Sequence, residues 1–411
     1  MGKIFYNIFT GLYFFAISIF ASFSPKARLF KEGRKDLFIR LEKDLNANPG
    51  KYIWFHCASL GEFEQGRPVI EAFKKKFPRH KVLLTFFSPS GYEIRKNYQA
   101  ADLIYYLPED TAVNANKFLD LLKPQLVLFI KYEFWFNFID AIHRHNIPLL
   151  SISSIFREEQ LFFKPYGSFY RGILRKFTHF FVQEANSLQL LNSIGIKSVT
   201  VAGDTRFDRV HDISKSIKNL PNIQEFIQNN EVFVAGSIWD HDLQVLAPLI
   251  KDFPHIKFII APHEVHEDVI ANIINVFPDS SRLTKGIDND KQCLIIDNIG
   301  FLSSLYQFAD YAFIGGAYGK GLHNILEAAT FGMPIFFGDK NYKKFVEAVN
   351  LIKAGGAFPV SDYEELKLKI DGFRKESNLK IEVSEISKQF VLKNIGATHK
   401  IMEFSKMLLK D

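Results

Sequence analysis

The stretch "YIWFHCASLGEFEQGRPVIEAFKKKF", Tyr52 to Phe77, holds two different periodicities. Its first eight residues form a run of mostly apolar side chains without alternation, the pattern of a strand buried on both faces. From Glu64 onward, apolar and charged residues recur at helical spacing. Small residues around Ala58–Gly61 join the two parts. Strand, tight turn and helix in that order open a βα unit, and a series of such units predicts a parallel sheet.

The series is present. Further short apolar runs are "KVLLTFF", "LIYYLP", "LVLFIKYE", "PLLSIS", "HFFVQE" and "VTVAG", with amphipathic stretches such as "ANKFLDLLK" between most of them. A polar segment, "HDISKSIKNLPNIQEFIQNN", interrupts the alternation, which restarts with "EVFVAGS", "KFIIAP", "CLIID", "YAFIGGA" and "PIFFG". The reading is α/β: two Rossmann-like halves joined near residues 210–230, followed by a helical end from about Val383. In such sheets ligands bind beyond the carboxyl ends of the strands, so the residues after each strand are the candidates for chemistry.

The chain has 411 residues, enough for two ordinary domains. A formal charge of +6 is mild and its basic residues are dispersed, which argues against nucleic acid and suits an anionic substrate or membrane surface. Cys57 and Cys293 lie far apart in apolar runs and read as buried thiols in a reducing compartment. "IFYNIFTGLYFFAISIFASF", Ile4 to Phe23, carries no charge. About 20 apolar residues suffice to cross a bilayer core. Lys26, Arg28, Lys31, Arg34 and Lys35 follow the run and only Lys3 precedes it, which orients the body toward the cytoplasm. A helix lying in the interface fits the same residues. A cleaved signal peptide fits less well, for want of a small-x-small cleavage site.

Candidate chemistry sits at the strand ends. Glu62 follows Gly61 at a helix start, where the helix field is expected to lower its pKa and keep it ionised; it reads as a general base or as an ordinary N-terminal helix acid. "IKYEFWFN" carries Lys131, Glu133, Trp135 and Asn137; "GDTRFD" sets Arg206 between Asp204 and Asp208, able to hold a phosphate or simply to pair with them. Aromatic and basic residues crowd Phe156–Phe177, as a lipid-facing surface or as packed helices. In the second half, "FIGGAYGKGLHNILEAATFGMPIFFG" ends a strand at Gly315 and Gly316, continues through a glycine-rich loop with Lys320, and is expected to start a helix near His323 or Asn324. Such a loop and helix start can receive a phosphate, with Glu327 toward ribose hydroxyls; alternatively, Asn324 or His323 caps the helix and Glu327 completes a capping box. His263 could hold a phosphate or bond within its own loop, and its neighbours are too crowded for a metal site.

The motifs "HCASLGEFEQGRPVI", "TFFSPSGYE", "KYEFWFN", "VQEANSLQLLNSIGI", "GDTRFD", "APHEVHED" and "GGAYGKGLHNILEAATFGMPIFFG" stand in the order seen in 3-deoxy-D-manno-octulosonic acid (Kdo) transferases. The chain resembles that family over nearly its whole length, N-terminal anchor included. The resemblance implies a GT-B fold, with two Rossmann-like domains facing across a cleft. It implies transfer of Kdo from CMP-Kdo to a lipid A precursor (lipid IVA-like) in lipopolysaccharide core synthesis, at the cytoplasmic face of the inner membrane. No cofactor besides the donor, no metal and no nucleic acid is expected. Segments then read as 1–35 anchor and basic flank, 36–215 acceptor domain, 216–382 CMP-Kdo domain and 383–411 helical end. By the resemblance Glu62 is the general base. Pro262 and His263, then Ile299, Gly300 and Phe301, then Asn324, Ile325, Leu326 and Glu327 match the CMP contacts, beside Gly316 and Lys320 of the loop. The chain departs from the family where "KYEFWFN" replaces an "ETELWPN" pattern, so that Lys131 stands for the first acid and Glu133 remains. Arg206 stands where a Lys is usual, and His263 where an Arg is usual. Other readings are a GT-B transferase that uses a UDP-sugar, and a catalytically inactive nucleotide-sugar binder at the membrane.

Overall fold

The computed structural model describes residues 2–216 and 218–409. The chain divides into two compact units, residues 1–208 with 395–411, and residues 209–394.

In the first unit, β1 (Lys51–Cys57), β2 (His80–Phe86), β3 (Leu103–Tyr106), β4 (Leu126–Ile130), β5 (Leu149–Ser154), β6 (His179–Val182) and β7 (Val199–Val201) form a seven-stranded sheet in the order 3-2-1-4-5-6-7. All pairs are parallel. Every residue of β1 after Lys51 is buried, because helices cover both faces. Trp54 packs on one face against Phe118, Phe129 and Phe138. Phe55 and Phe73 pack on the other, in the cluster that also takes Ile401 and Met402 of the last helix, Ala397–Leu408.

That last helix corrects the reading of residues 383–411 as one helical segment. Ser377–Leu392 lies in the second unit, and Ala397–Leu408 returns to the first. The tie is local: the two oxygens of Asp208 accept the amides of Gly396 (2.5 Å) and Thr398 (2.6 Å) at the start of the helix.

The apolar N-terminal run is the helix Gly2–Phe20, long and apolar enough to cross a membrane. Arg34, counted above with the basic flank, is instead built into the unit. It donates to the carbonyls of Phe30, Phe87 and Leu107 and lies over the Phe30 ring. Burial lowers its pKa to about 9. The Phe156–Phe177 stretch is mostly packed. Phe156 and Phe162 are buried, Arg171 donates to the carbonyls of Phe162, Lys164 and Pro165, and Leu161 and Tyr166 point outward.

The second unit holds β8 (Glu231–Ile238), β9 (Ile256–Pro262), β10 (Ser280–Arg282), β11 (Cys293–Ile295), β12 (Tyr311–Ile314), β13 (Ile335–Gly338) and β14 (Ala357–Val360), all parallel, in the order 10-11-9-8-12-13-14. The apolar-run pattern does not reach β10, which has no apolar residue, or β14. Pro359 interrupts β14 and is tolerated there because the strand is at the sheet edge. Both cysteines are buried free thiols, and burial pushes the Cys57 thiol well up.

Candidate active site

Each sheet grows in both directions from its first strand, and that reversal is where open α/β sheets form their crevice. In the first unit the reversal lies between β1 and β4, which pair directly (Phe55 with Leu128). Glu62 follows β1, and Lys131 and Glu133 follow β4, so sheet order brings together residues distant in sequence.

Glu62 is the third residue of the helix Leu60–Lys76. Its Oε2 accepts the amides of Ala58 (2.5 Å) and Ser59 (3.1 Å), folding the carboxylate back over the helix start. The side chain is half-buried. The expected lowering of its pKa is overturned. Burial, and then the charge of Glu133, raise it to about 7, against the smaller opposing pulls of the two amides and Lys131. The helix field is worth less than the loss of water plus a second carboxylate.

Glu133 is 7% exposed, and its position is fixed by donors. Its Oε2 accepts Trp135 Nε1–H (2.5 Å) and contacts His56 Nε2 (3.0 Å). His56 is wholly buried, and its Nδ1 lies 2.8 Å from Thr85 Oγ1, which already accepts Trp54 Nε1–H at 2.8 Å. Thr85 Oγ1 also lies 3.4 Å from the carbonyl of Phe55, so the His56 ring bridges Thr85 on Nδ1 and Glu133 on Nε2. Lys131 holds a left-handed backbone (φ 69°) at the bend after β4. Arg206 has an acid partner two residues before it. Its guanidinium binds Asp204 Oδ2 through Nε (2.9 Å) and Nη2 (2.6 Å), while Asp208 serves the last helix. Sequence reasoning missed His56 and Thr85, since a buried His inside a strand carries no signal of its partner.

In the second unit the reversal lies between β8 and β12. Three adjacent strand ends supply three rings. Trp239 follows β8, His263 follows β9, and His323 lies in the loop after β12. Trp239 stacks on His263 (4.7 Å between centroids) and His263 on His323 (4.3 Å), and Trp239 Nε1–H donates to His323 Nε2 (2.9 Å). Burial, and then His263, lower the His323 pKa to about 4, so the ring is a neutral acceptor at Nε2. Lys320 Nζ lies 4.1 Å from the Trp239 ring centroid.

The glycine-rich loop is more closed on itself than expected. The amides of Gly319 and Gly321 donate to Gly316 O, His323 N to Gly315 O, and Gly316 N to Asp242 Oδ2. A Cβ on Gly316 (φ 93°) would fall 2.4 Å from Gly321 O, so the loop needs glycine there. The helix expected from His323 or Asn324 begins at Leu326 and lasts one turn, Leu326–Ala329. Asn324 Oδ1 accepts Leu326 N and its Nδ2 donates to Glu327 Oε1 (3.1 Å), whereas the residue at the N-cap is Ile325, so this contact is not the capping box of the sequence reading. Ile325 and Leu326 are buried in the core, and Pro262 is buried at the end of β9. Gly300 has φ 90° in an exposed turn after Ile299, which is 79% exposed, and Phe301 lies under Lys218; no contact ties these three to the ring stack among the described residues. Asp242 was not singled out from sequence. It is fully buried, accepts the amides of Trp239 and Gly316 on Oδ2, and burial raises its pKa to about 6.

Residues 32–209 match the family model described as 3-deoxy-D-manno-octulosonic-acid transferase (Kdotransferase). The chain is 28% identical over 326 residues to the 3-deoxy-D-manno-octulosonic acid transferase of Rickettsia bellii, covering 76% of this chain and 77% of that one. It is 25% identical to that of Aquifex aeolicus (77% and 84% covered) and 22% identical to that of Haemophilus influenzae (88% of each). Among solved structures, the UDP-GlcNAc 2-epimerase of Neisseria meningitidis superposes with a TM-score of 0.60 at 18% identity, over 86% of this chain and 98% of that one. At that identity the likeness speaks to the fold, which is GT-B.

Proposed function

We propose that this chain, which is similar to Kdo transferases over most of its length, is a glycosyltransferase that moves Kdo from CMP-Kdo to a lipid A precursor during lipopolysaccharide synthesis. The reaction is a single displacement with inversion. Glu62 takes the proton of an acceptor sugar hydroxyl as that oxygen attacks the anomeric carbon of Kdo, and CMP leaves as a phosphate monoester. The observation that carries this reading is the state of Glu62, a half-buried carboxylate at the first unit's switch point whose pKa of about 7 matches a base working near neutrality.

The other groups take roles consistent with their contacts. Glu133, fixed by Trp135 and His56, raises the proton affinity of Glu62. Lys131, whose charge opposes that effect, is suited to the anionic donor or acceptor. Arg206 is already engaged by Asp204, so it is assigned a supporting part. On the nucleotide side, Lys320 and Asn324 are the groups suited to the leaving phosphate and ribose, and the Trp239–His263–His323 stack offers an aromatic surface to a base. The apolar helix Gly2–Phe20 would hold the enzyme at the inner membrane, where a lipid acceptor resides.

The test is mass spectrometry of a lipid A precursor incubated with the purified full chain and CMP-Kdo. The expected product carries added Kdo. No Kdo product from folded enzyme, together with transfer from a UDP-sugar and calorimetric binding of UDP in place of CMP, would overturn the assignment.

A further inference from the structure

The helix Gly2–Phe20 has two faces with different partners. Ile4, Phe5, Ile8, Phe9, Leu12 and Phe15 are each more than half exposed, a stripe fit for lipid chains. The opposite face is bonded to the loop that carries Glu133. The Tyr6 hydroxyl donates to Asp110 Oδ2 (2.6 Å) and accepts the amide of Phe136 (3.1 Å). Asn7 Oδ1 accepts Asn137 Nδ2 (3.0 Å). Asp110 is 1% exposed and also accepts the amides of Asn137 (3.2 Å) and Phe138 (3.0 Å). Tyr6 and Asp110 together therefore cap the helix Phe136–Arg144, and that helix begins one residue after Trp135, the donor that holds Glu133. A second path is aromatic. Trp135 packs on Phe87 (4.5 Å), and Phe87 meets Tyr13 and Phe14 of the N-terminal helix (6.2 Å each).

We propose that the N-terminal helix is a positioning element of the catalytic site as well as a membrane contact, with the Tyr6 hydroxyl holding the 133–137 loop so that Glu133 stays beside Glu62. The proposal rests on the reading of Glu62 as the base. Its physical content is simple. Loss of the hydroxyl leaves a buried carboxylate and a backbone amide each short of a partner, and the loop must shift to satisfy them. Small displacements of catalytic groups are costly in rate, on the order of 10²-fold for 1 Å. An element that only anchored the chain would have no need of buried polar contacts to this loop.

The experiment uses the full chain on lipid vesicles and compares Tyr6→Phe, Glu133→Gln and the double variant. Tyr6→Phe keeps the ring and the apolar stripe. It is expected to float with vesicles like the wild type, to keep its KM for the lipid acceptor, and to lose about tenfold or more in kcat. If Tyr6 acts through Glu133, the double variant is no slower than Glu133→Gln alone. Wild-type turnover by Tyr6→Phe, a loss that tracks weaker vesicle binding, or losses that multiply in the double variant would each overturn the proposal. Should Tyr6→Phe fail to fold, Asn7→Ala, which removes the bond to Asn137, is read in the same way. A Glu62→Gln variant with full activity would instead remove the underlying reading, whatever the Tyr6 variants do.

Discussion

The start of a helix and the loss of water pull the Glu62 carboxyl in opposite directions, and the outcome is decided by magnitude. Two amide bonds and Lys131 favour the charged form, while burial and then Glu133 favour the neutral form and prevail, lifting the pKa to about 7. A base with that pKa is protonated and idle in acid, so kcat/KM should rise as pH passes upward through about 7. In Glu133→Gln the nearby negative charge is gone, the pKa of Glu62 falls, and the rising limb of the pH–rate profile should move to lower pH. Lys131→Ala should move it to higher pH. A limb that stays in place in both variants would mean that another group titrates there. Glu62 was visible in the sequence as an acid after a strand, yet the direction of its shift was not, because Glu133 reaches it only through the pairing of β1 with β4. The ring stack was hidden for the same reason. Trp239, His263 and His323 belong to three strand ends that become neighbours only in the order 9-8-12, so His263 read as a lone histidine.

Elements were legible where they were long and apolar. The strands of both sheets that consist of buried runs are found where those runs lie, and the helix after Ser59 follows from its period. Legibility ended where other forces set the backbone. The segment after Gly321 looks helical, but its loop spends the Gly321 and His323 amides on the Gly316 and Gly315 carbonyls, and the helix waits until Leu326. The carboxyl-terminal helices read as one body because nothing in their periodicity shows that Asp208 claims the start of Ala397–Leu408. That contact is an N-cap supplied from afar, and such caps are worth about 1 kcal/mol. Asp208→Ala should therefore lower the urea midpoint by an amount equivalent to about 1 kcal/mol, with the m-value unchanged. No change in midpoint would show that the last helix holds its place by its apolar face alone, through Ala397, Ile401 and Met402.

At the scale of the molecule the two units repeat one plan. Each has a seven-stranded parallel sheet that reverses beside its first strand. In each, the helix after that strand has an acid at its third position and a proline at its ninth, Glu62 and Pro68 in Leu60–Lys76, Asp242 and Pro248 in Asp240–Asp252. Both acids fold back over amides at the start of their helix, and burial raises both pKa values. They differ in access. Asp242 is wholly buried and ties Gly316 to Trp239, whereas Glu62 keeps part of its surface open. One framework position thus serves structure in one half and, in the function proposed above, chemistry in the other. This division explains why an even choice between base and helix acid was all that position alone supported for Glu62. The central claim is that the open acid takes the acceptor's proton, and the most direct measurement is the turnover of Glu62→Gln with CMP-Kdo and lipid acceptor. The account expects kcat to fall on the order of 10²- to 10⁴-fold while CMP binding and thermal stability are retained. Turnover close to that of the wild type would contradict it.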